Sequence, residues 1–175
     1  MKQTLMVGVL VFNRLSIRPY LDRDFDDYAQ TLLRTLPCKN MNEARENVEI
    51  ILKRVKEREE LWVAVLDEQA VGFALLDFTS VWGRNGESYE DEGVCVDWLD
   101  VHPAFQRKGI GLALIRKAEE RGRERLLSRI FMHTSVDNAA MLCLSEKSAF
   151  SVARRLVLRW GDTDKDGVLL EKELS

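Results

Sequence analysis

Residues 101–111 read VHPAFQRKGIG. The run before them, VCVDWLDV (Val94–Val101), is rich in strand formers. The run after them, from Gly109 to about Glu124, sets Ile110, Leu114 and Ala118 on one helical face, opposite Arg116, Lys117, Glu119 and Glu120. The stretch is therefore a turn that ends a strand at a proline and starts an amphipathic helix. Gly109 and Gly111 have no side chains, so the N–H groups from Arg107 to Leu112 can point outward without obstruction. The first four N–H groups of a helix have no partner within it. Together with the helix dipole they form a site for anions, phosphates above all. Two glycines at this spacing are a weak signal alone, but a strand before them and an apolar helix after them are the context a phosphate cradle needs. A dinucleotide loop would be G-x-G-x-x-G near the start of a βαβ unit, with an acidic residue about 20 positions on. A Walker loop would be G-x-x-x-x-G-K-[ST]. QRKGIG fits neither, and a purely structural strand–turn–helix is the remaining alternative.

Further elements follow on both sides. LSIRPY (Leu15–Tyr20) alternates apolar and polar residues, as a short strand does. Phe25, Tyr28, Leu32 and Leu36 recur at helical spacing until Pro37. A second helix has Ala44, Val48, Ile51 or Leu52, and Val55 as its buried stripe, with Asn40 or Asn42 as cap. Leu61–Leu66 and Val71–Phe78 form a hairpin about the polar tip Asp67–Gln69. After the glycine-led helix come a strand (Arg129–Val136), a short helix (Asn138–Lys147) and a strand through LVLRW. This order, with no 20–50-residue repeat and no Pro/Gly/Ser-rich linker, describes one mixed α/β domain over residues 15–175. Residues 1–14 read as an N-terminal extension, either an added edge strand or a contact in a homodimer. Their apolar run, Leu5–Phe12, lacks a cleavage site and is shorter than the roughly 20 residues that span a bilayer.

VHPAFQRKGIG resembles the Q/R-x-x-G-x-G/A segment of the GNAT superfamily of N-acetyltransferases. LSIRPYLDRDFDDYAQ is similar to that family's opening strand and helix. DNAAMLCLSEKSAF is similar, in length and at its ends Asn138 and Phe150, to its N-x-x-A-x-x-x-Y-x-x-x-G-F segment. The resemblance covers about residue 15 to the end. It implies a mixed, mostly antiparallel central sheet flanked by about four helices, with a β-hairpin at the C-terminus. It also implies acetyl-coenzyme A as cosubstrate, its pyrophosphate held by the loop. The residues it assigns to the coenzyme are Val101, Gln106, Arg107, Lys108, Gly109, Ile110, Gly111, Leu112 and Asn138.

Acetyl transfer to an amine needs a base for the amine proton, donors for the oxyanion and an acid for the leaving thiolate. By period-2 alternation Cys95, Asp97, Leu99 and Val101 share one face of their strand, which in the family opens on the cleft. Asp97, four residues before Val101, stands where family members often carry a base; a solvated or ion-paired strand residue is the plain alternative. Glu92 is a second candidate, and Asp100 points to the other face. The family's tyrosine acid falls at Ser145, a shorter and poorer acid suited to positioning a water or the thiolate. Ala149 replaces the usual glycine before Phe150. Cys143, His133 and His102 read as structural. The acceptor site should form where the first two helices meet the loop Trp82–Glu92, with Trp82 and Tyr89 as lining and Glu87, Glu90, Asp91 and Glu92 attracting a cation. A solvated acidic loop is the alternative for these charges.

DTDKDGVLLEKE, Asp162–Glu173, matches the calcium-loop pattern D-x-[DN]-x-[DN]-G-x5-E at every constrained position. Such a loop needs an exiting helix, and only Leu170–Ser175 remain, under two turns. The run Leu156–Trp160 is rich in strand formers. With the family's closing hairpin in view, Asp166–Gly167 reads as a two-residue turn, and no metal is expected. The chain has 175 residues, is 46% hydrophobic and 31% charged, and carries a formal net charge of −3, which gives no general reason to bind nucleic acid or anionic lipid. Its three cysteines, Cys38, Cys95 and Cys143, are far apart, which suits a reducing cytoplasm. The partners expected are acetyl-coenzyme A and an amine acceptor, small molecule or protein. A non-catalytic acyl-coenzyme A sensor and a calcium-responsive module are the competing functions.

Overall fold

The computed structural model describes residues 15–55, 59–78, 81–82, 88–89, 93–160 and 163–175. A short strand β1 (Ser16–Pro19) leads into helices α1 (Phe25–Thr35) and α2 (Met41–Arg54). Asn40 caps α2 by accepting from the Glu43 N–H at 3.0 Å, and the Glu43 carboxylate reaches back to the Lys39 N–H at 2.7 Å. The hairpin β2 (Glu59–Leu66) and β3 (Gln69–Asp77) turns at Asp67 and Glu68, both at positive φ as a tight two-residue turn requires. A small ribbon, β4 (Val81–Trp82) with β5 (Ser88–Tyr89), precedes the long strand β6 (Gly93–Val101). Helix α3 (Ile110–Glu124), strand β7 (Arg129–Ser135), helix α4 (Ala139–Lys147) and the hairpin β8 (Ser151–Trp160) and β9 (Thr163–Glu173) complete the chain.

The main sheet runs β1-β2-β3-β6-β7-β9-β8, and among the described strands only β6 and β7 pair in parallel. Each face buries its own core. Under α3 and α4 lie Val71, Leu76, Val94, Val96, Ile110, Leu114, Ile115, Ile130, Met132 and Leu170. Under α1 and α2 lie Tyr28, Leu32, Val48, Ile51, Val63, Phe73 and Leu75, with the Tyr28 and Phe73 rings stacked 4.0 Å apart. Gly72 lets α3 settle close to the sheet: a Cβ there would stand 2.9 Å from Ile110 Cγ2 and 3.3 Å from the Asp100 carbonyl oxygen.

The C-terminal hairpin is present, but its turn lies earlier than the sequence indicated. Trp160 pairs with Thr163 across the ladder, and residues 161 and 162 lie outside the described residues. Gly167 is a mid-strand residue paired with Leu156 and Ser135. The Asp-Gly turn signal yields here to long-range pairing with β7 and β8, and the glycine admits close packing, since a Cβ there would meet the Leu158 side chain at 2.6 Å. Asp164 and Asp166 are in an extended strand, not wrapped in a loop. Among the described residues no cluster of three His, Cys, Asp or Glu side chains is placed to hold a metal ion, and no helix is long and apolar enough to cross a membrane. The expected roles of residues 1–14 and of Glu87, Glu90, Asp91 and Glu92 fall outside the described residues, as do the side chains of Trp82 and Tyr89.

Candidate active site

The sheet opens in its middle. β6 and β7 pair from Gly93–Arg129 to Val96–Met132 and no further, while β7 continues against β9 as far as Ser135. Among the described residues, β6 from Trp98 to Val101 is paired on one side only, with β3, and Asp97 is unpaired. The backbone groups along its other edge therefore line a wedge whose floor is at Val96 and whose mouth leads to the start of α3.

A bulge sits at that floor. Leu75 pairs with Trp98 and Leu76 with Val96, so Asp97 is the extra residue. An inserted residue reverses the alternation beyond it. Leu99 and Val101 consequently pack with Val94 and Val96 against α3, whereas Trp98 packs on the α1–α2 side. The single face expected for Cys95, Asp97, Leu99 and Val101 is thus corrected: Asp97 meets α2, and Leu99 and Val101 point the opposite way. The bulge leaves no residue-type signature, which is why strict alternation misplaced them.

At the wedge mouth, Pro103–Phe105 makes one short 3-10 turn, and Gln106 Nε2 donates back to the Val101 carbonyl at 3.0 Å. Arg107 has φ 59° and Gly109 φ 83°. None of the N–H groups from Arg107 to Leu112 has an acceptor among the described residues. A Cβ built at Gly109 meets nothing within 4 Å, so the space in front of these amides is open. At Gly111 a Cβ would lie 3.0 Å from Leu144 Cδ2, so this glycine lets α4 close on the start of α3. Ile110 anchors the turn in the core, while Arg107 and Lys108 are exposed, with Lys108 Nζ 5.1 Å from the centre of the Phe105 ring. Asn138 caps α4 by accepting from the Met141 N–H at 3.1 Å. A row of outward amides at a helix start, with an open glycine in front, fits a pyrophosphate.

On the α1–α2 side of the wedge floor, Asp97 Oδ2 accepts from Arg54 Nη2 at 2.6 Å, tying β6 to the last residue of α2. Glu59 and Asp77 also face Arg54. Close by, Asp100 is buried and accepts from Trp98 Nε1. Burial pushes its carboxyl up to about 6 against the opposing hydrogen bonds from Trp98 and Thr35. Burial also pushes the Cys95 thiol up, which keeps it inert.

Ser145 is buried in α4 and donates its proton to the Leu142 carbonyl at 2.8 Å. Cys143 is exposed. His133, read from the sequence as structural, lies one step beyond the last β6–β7 rung, on the face it shares with Phe131. Asp97 and His133 are each one residue past the last β6–β7 pair, Val96–Met132, on their own strands. Only the parallel register reveals this, and no local pattern in IFMHTSV carries it.

The central sheet is split at a bulge, and a row of open amides at a helix start stands at the mouth of the split. Residues 20–150 match the acetyltransferase (GNAT) family, and the chain belongs to that family: it is an N-acetyltransferase. None of the curated proteins is a detectable sequence relative. Among solved structures it is similar to an acetyltransferase of the GNAT family from Desulfovibrio desulfuricans (20% identity, TM-score 0.72, 93% of this chain and 100% of that one). It is also similar to the ribosomal-protein-S18-alanine N-acetyltransferase from Escherichia coli (17% identity, TM-score 0.69, 93% and 95%). An N-acetyltransferase from Staphylococcus aureus aligns over 93% of this chain and 99% of its own length (16% identity, TM-score 0.68).

Proposed function

We propose that the protein transfers the acetyl group of acetyl-coenzyme A to a primary amine. The observation that carries this reading is the pairing of six unaccepted amides, Arg107–Leu112, with a strand edge left open from Asp97 to Val101. The amides suit the pyrophosphate. The open edge suits the two amide groups of the pantetheine arm, which can pair with β6 as a short strand would, bringing the thioester to the bulge.

Asp97 and His133 then stand on either side of the thioester carbon. In this reading one of them, or a water held between them, takes the amine proton. The Asp97 Oδ1 atom, not engaged by Arg54, is the receiving atom on the β6 side. Ser145 is assigned packing and positioning of α4 beside the coenzyme, since its own proton is directed into its helix. The thiolate then takes its proton from water. The three unpaired cysteines suit a cytoplasmic setting.

Purified protein, acetyl-coenzyme A and a panel of amines should release free thiol with at least one acceptor. Asp97→Asn should lower that turnover by about 10²–10⁴-fold if Asp97 is the base, with coenzyme A affinity unmoved. Wild-type turnover in Asp97→Asn with an altered pH profile in His133→Gln would move the proton to β7. One observation favours a second reading, a non-catalytic acyl-coenzyme A sensor: no proton donor stands free at Ser145. Tight coenzyme binding with no thiol release across the panel would establish it.

A further inference from the structure

The Arg54–Asp97 pair uses only part of its hydrogen-bonding capacity. A single contact joins it, from Nη2 to Oδ2, and neither side chain makes another hydrogen bond among the described residues. Arg54 keeps Nε and Nη1, and its side chain is 43% exposed; Asp97 keeps Oδ1, and its side chain is 12% exposed. A guanidinium is a rigid fork of donors and a carboxylate is acceptor-only. At the wedge floor, therefore, a donor for an oxygen and an acceptor for an ammonium stand side by side. Chemical groups that satisfy both at once carry an amine and an oxygen a fixed short distance apart.

We infer that Arg54 and Asp97 together read an α-amino carbonyl group, so that the acceptor is the N-terminal α-amine of a peptide or protein. This rests on the acetyl-transfer reading above. In such a group the nitrogen and the carbonyl oxygen are about 3 Å apart, from ordinary backbone dimensions. The amine donates to Asp97 Oδ1, and the carbonyl oxygen accepts from the unused arm of Arg54. A lysine ε-amine, an alkylamine or a polyamine offers nothing to that arm. Glu59 and Asp77, which also face Arg54, add negative potential. They favour a neutral peptide carbonyl over the carboxylate of a free amino acid. Arg54 acts here as a specificity residue: it grips the group next to the nucleophile and takes no proton.

The test compares alaninamide, isopropylamine, alanine and spermidine as acceptors for the wild type, Arg54→Met and Arg54→Lys. Comparing each acceptor with itself across variants cancels differences in amine basicity. Arg54→Met should lower kcat/KM for alaninamide by about 10–100-fold, the range for a lost hydrogen bond to a charged group, mainly through KM. Isopropylamine should lose clearly less, and Arg54→Lys should recover part of the alaninamide activity. Melting temperature and coenzyme A affinity serve as folding controls. Equal losses for alaninamide and isopropylamine, or a wild-type preference for spermidine, would overturn the inference. If the wild type acetylates none of the four, acetyl transfer to these amines fails as a reading. Calorimetric titration of alaninamide and isopropylamine into coenzyme A-loaded protein then decides the inference separately. Tighter binding of alaninamide, lost in Arg54→Met, upholds it, and indistinguishable binding overturns it.

Discussion

Replacing Gly109 by asparagine and by aspartate isolates the electrostatics of the phosphate cradle. Gly109 has φ 83°, a region that Asn and Asp enter more readily than other side chains. A Cβ there meets nothing within 4 Å, so neither replacement clashes. Each should cost about 1 kcal/mol of backbone strain, which for a chain of this size lowers Tm by about 2–4 °C. The two side chains have the same shape, so their difference is charge. A carboxylate about 4 Å from a phosphate oxygen interacts unfavourably by about 1 kcal/mol in water-like surroundings and about 4 kcal/mol at an effective dielectric of 20. Gly109→Asp should therefore bind coenzyme A about 5- to 1,000-fold more weakly than Gly109→Asn, at 1.4 kcal/mol per tenfold. Isothermal calorimetry at low and high salt reads this directly, and the gap should narrow as the Debye length falls to about 3 Å near 1 M salt. Equal affinities for the two variants at low salt would refute the placement of the pyrophosphate on these amides.

Three other outcomes follow from the geometry. Burial raises the Glu60 carboxyl, but hydrogen bonds from Arg121, Trp62 and Arg125 outweigh it and hold the group at about 2, below its ordinary 4.5; the stability it contributes is present above 4.5 and lost as pH falls toward 2, so Glu60→Gln should flatten the fall of Tm across that window. Asp100 is the opposite case: held at about 6 against an ordinary 3.8, it contributes stability that is full below 3.8 and lost as pH rises through 6. The Tm of Asp100→Asn relative to wild type should therefore climb between pH 4 and 6 and level off above, and a constant difference would contradict the buried carboxyl. Gly72→Ala should push α3 off the sheet, at a cost of about 1–3 kcal/mol in denaturant melts, and should weaken coenzyme A binding because the same helix start carries the cradle.

The loop Gln106–Gly111 was legible because glycine and proline mark the chain where it must turn. The helices were legible because their buried stripes, such as Ala44, Val48 and Ile51, repeat at the helical period. Asp97 was found as a residue of interest, but its neighbours were misassigned, since a bulge adds one residue without changing composition. His133 was read as structural from its strand; that it lies one residue past the last β6–β7 pair, as Asp97 does on β6, comes from pairing between segments far apart in sequence. The acidic run near the C-terminus shows the reverse failure. A local pattern matched a calcium loop at every position, and an Asp-Gly step promised a turn, yet pairing with β8 and β7 drew both into a strand.

The split between β6 and β7 also bears on how the molecule holds itself together. Four rungs join the two halves of the sheet, against eight between β2 and β3 and seven between β7 and β9. A pantetheine arm lying along the open edge of β6 would act as a splint across this seam, continuing the ladder where the chain itself leaves off. The ligand would then complete the sheet as well as react in it, and its binding would add stability that grows with the logarithm of the coenzyme's concentration over its Kd. Amide hydrogens of Asp97–Val101 and of Arg129–Met132 should exchange more slowly once the coenzyme is bound, and the two halves should come to open as one body rather than as two.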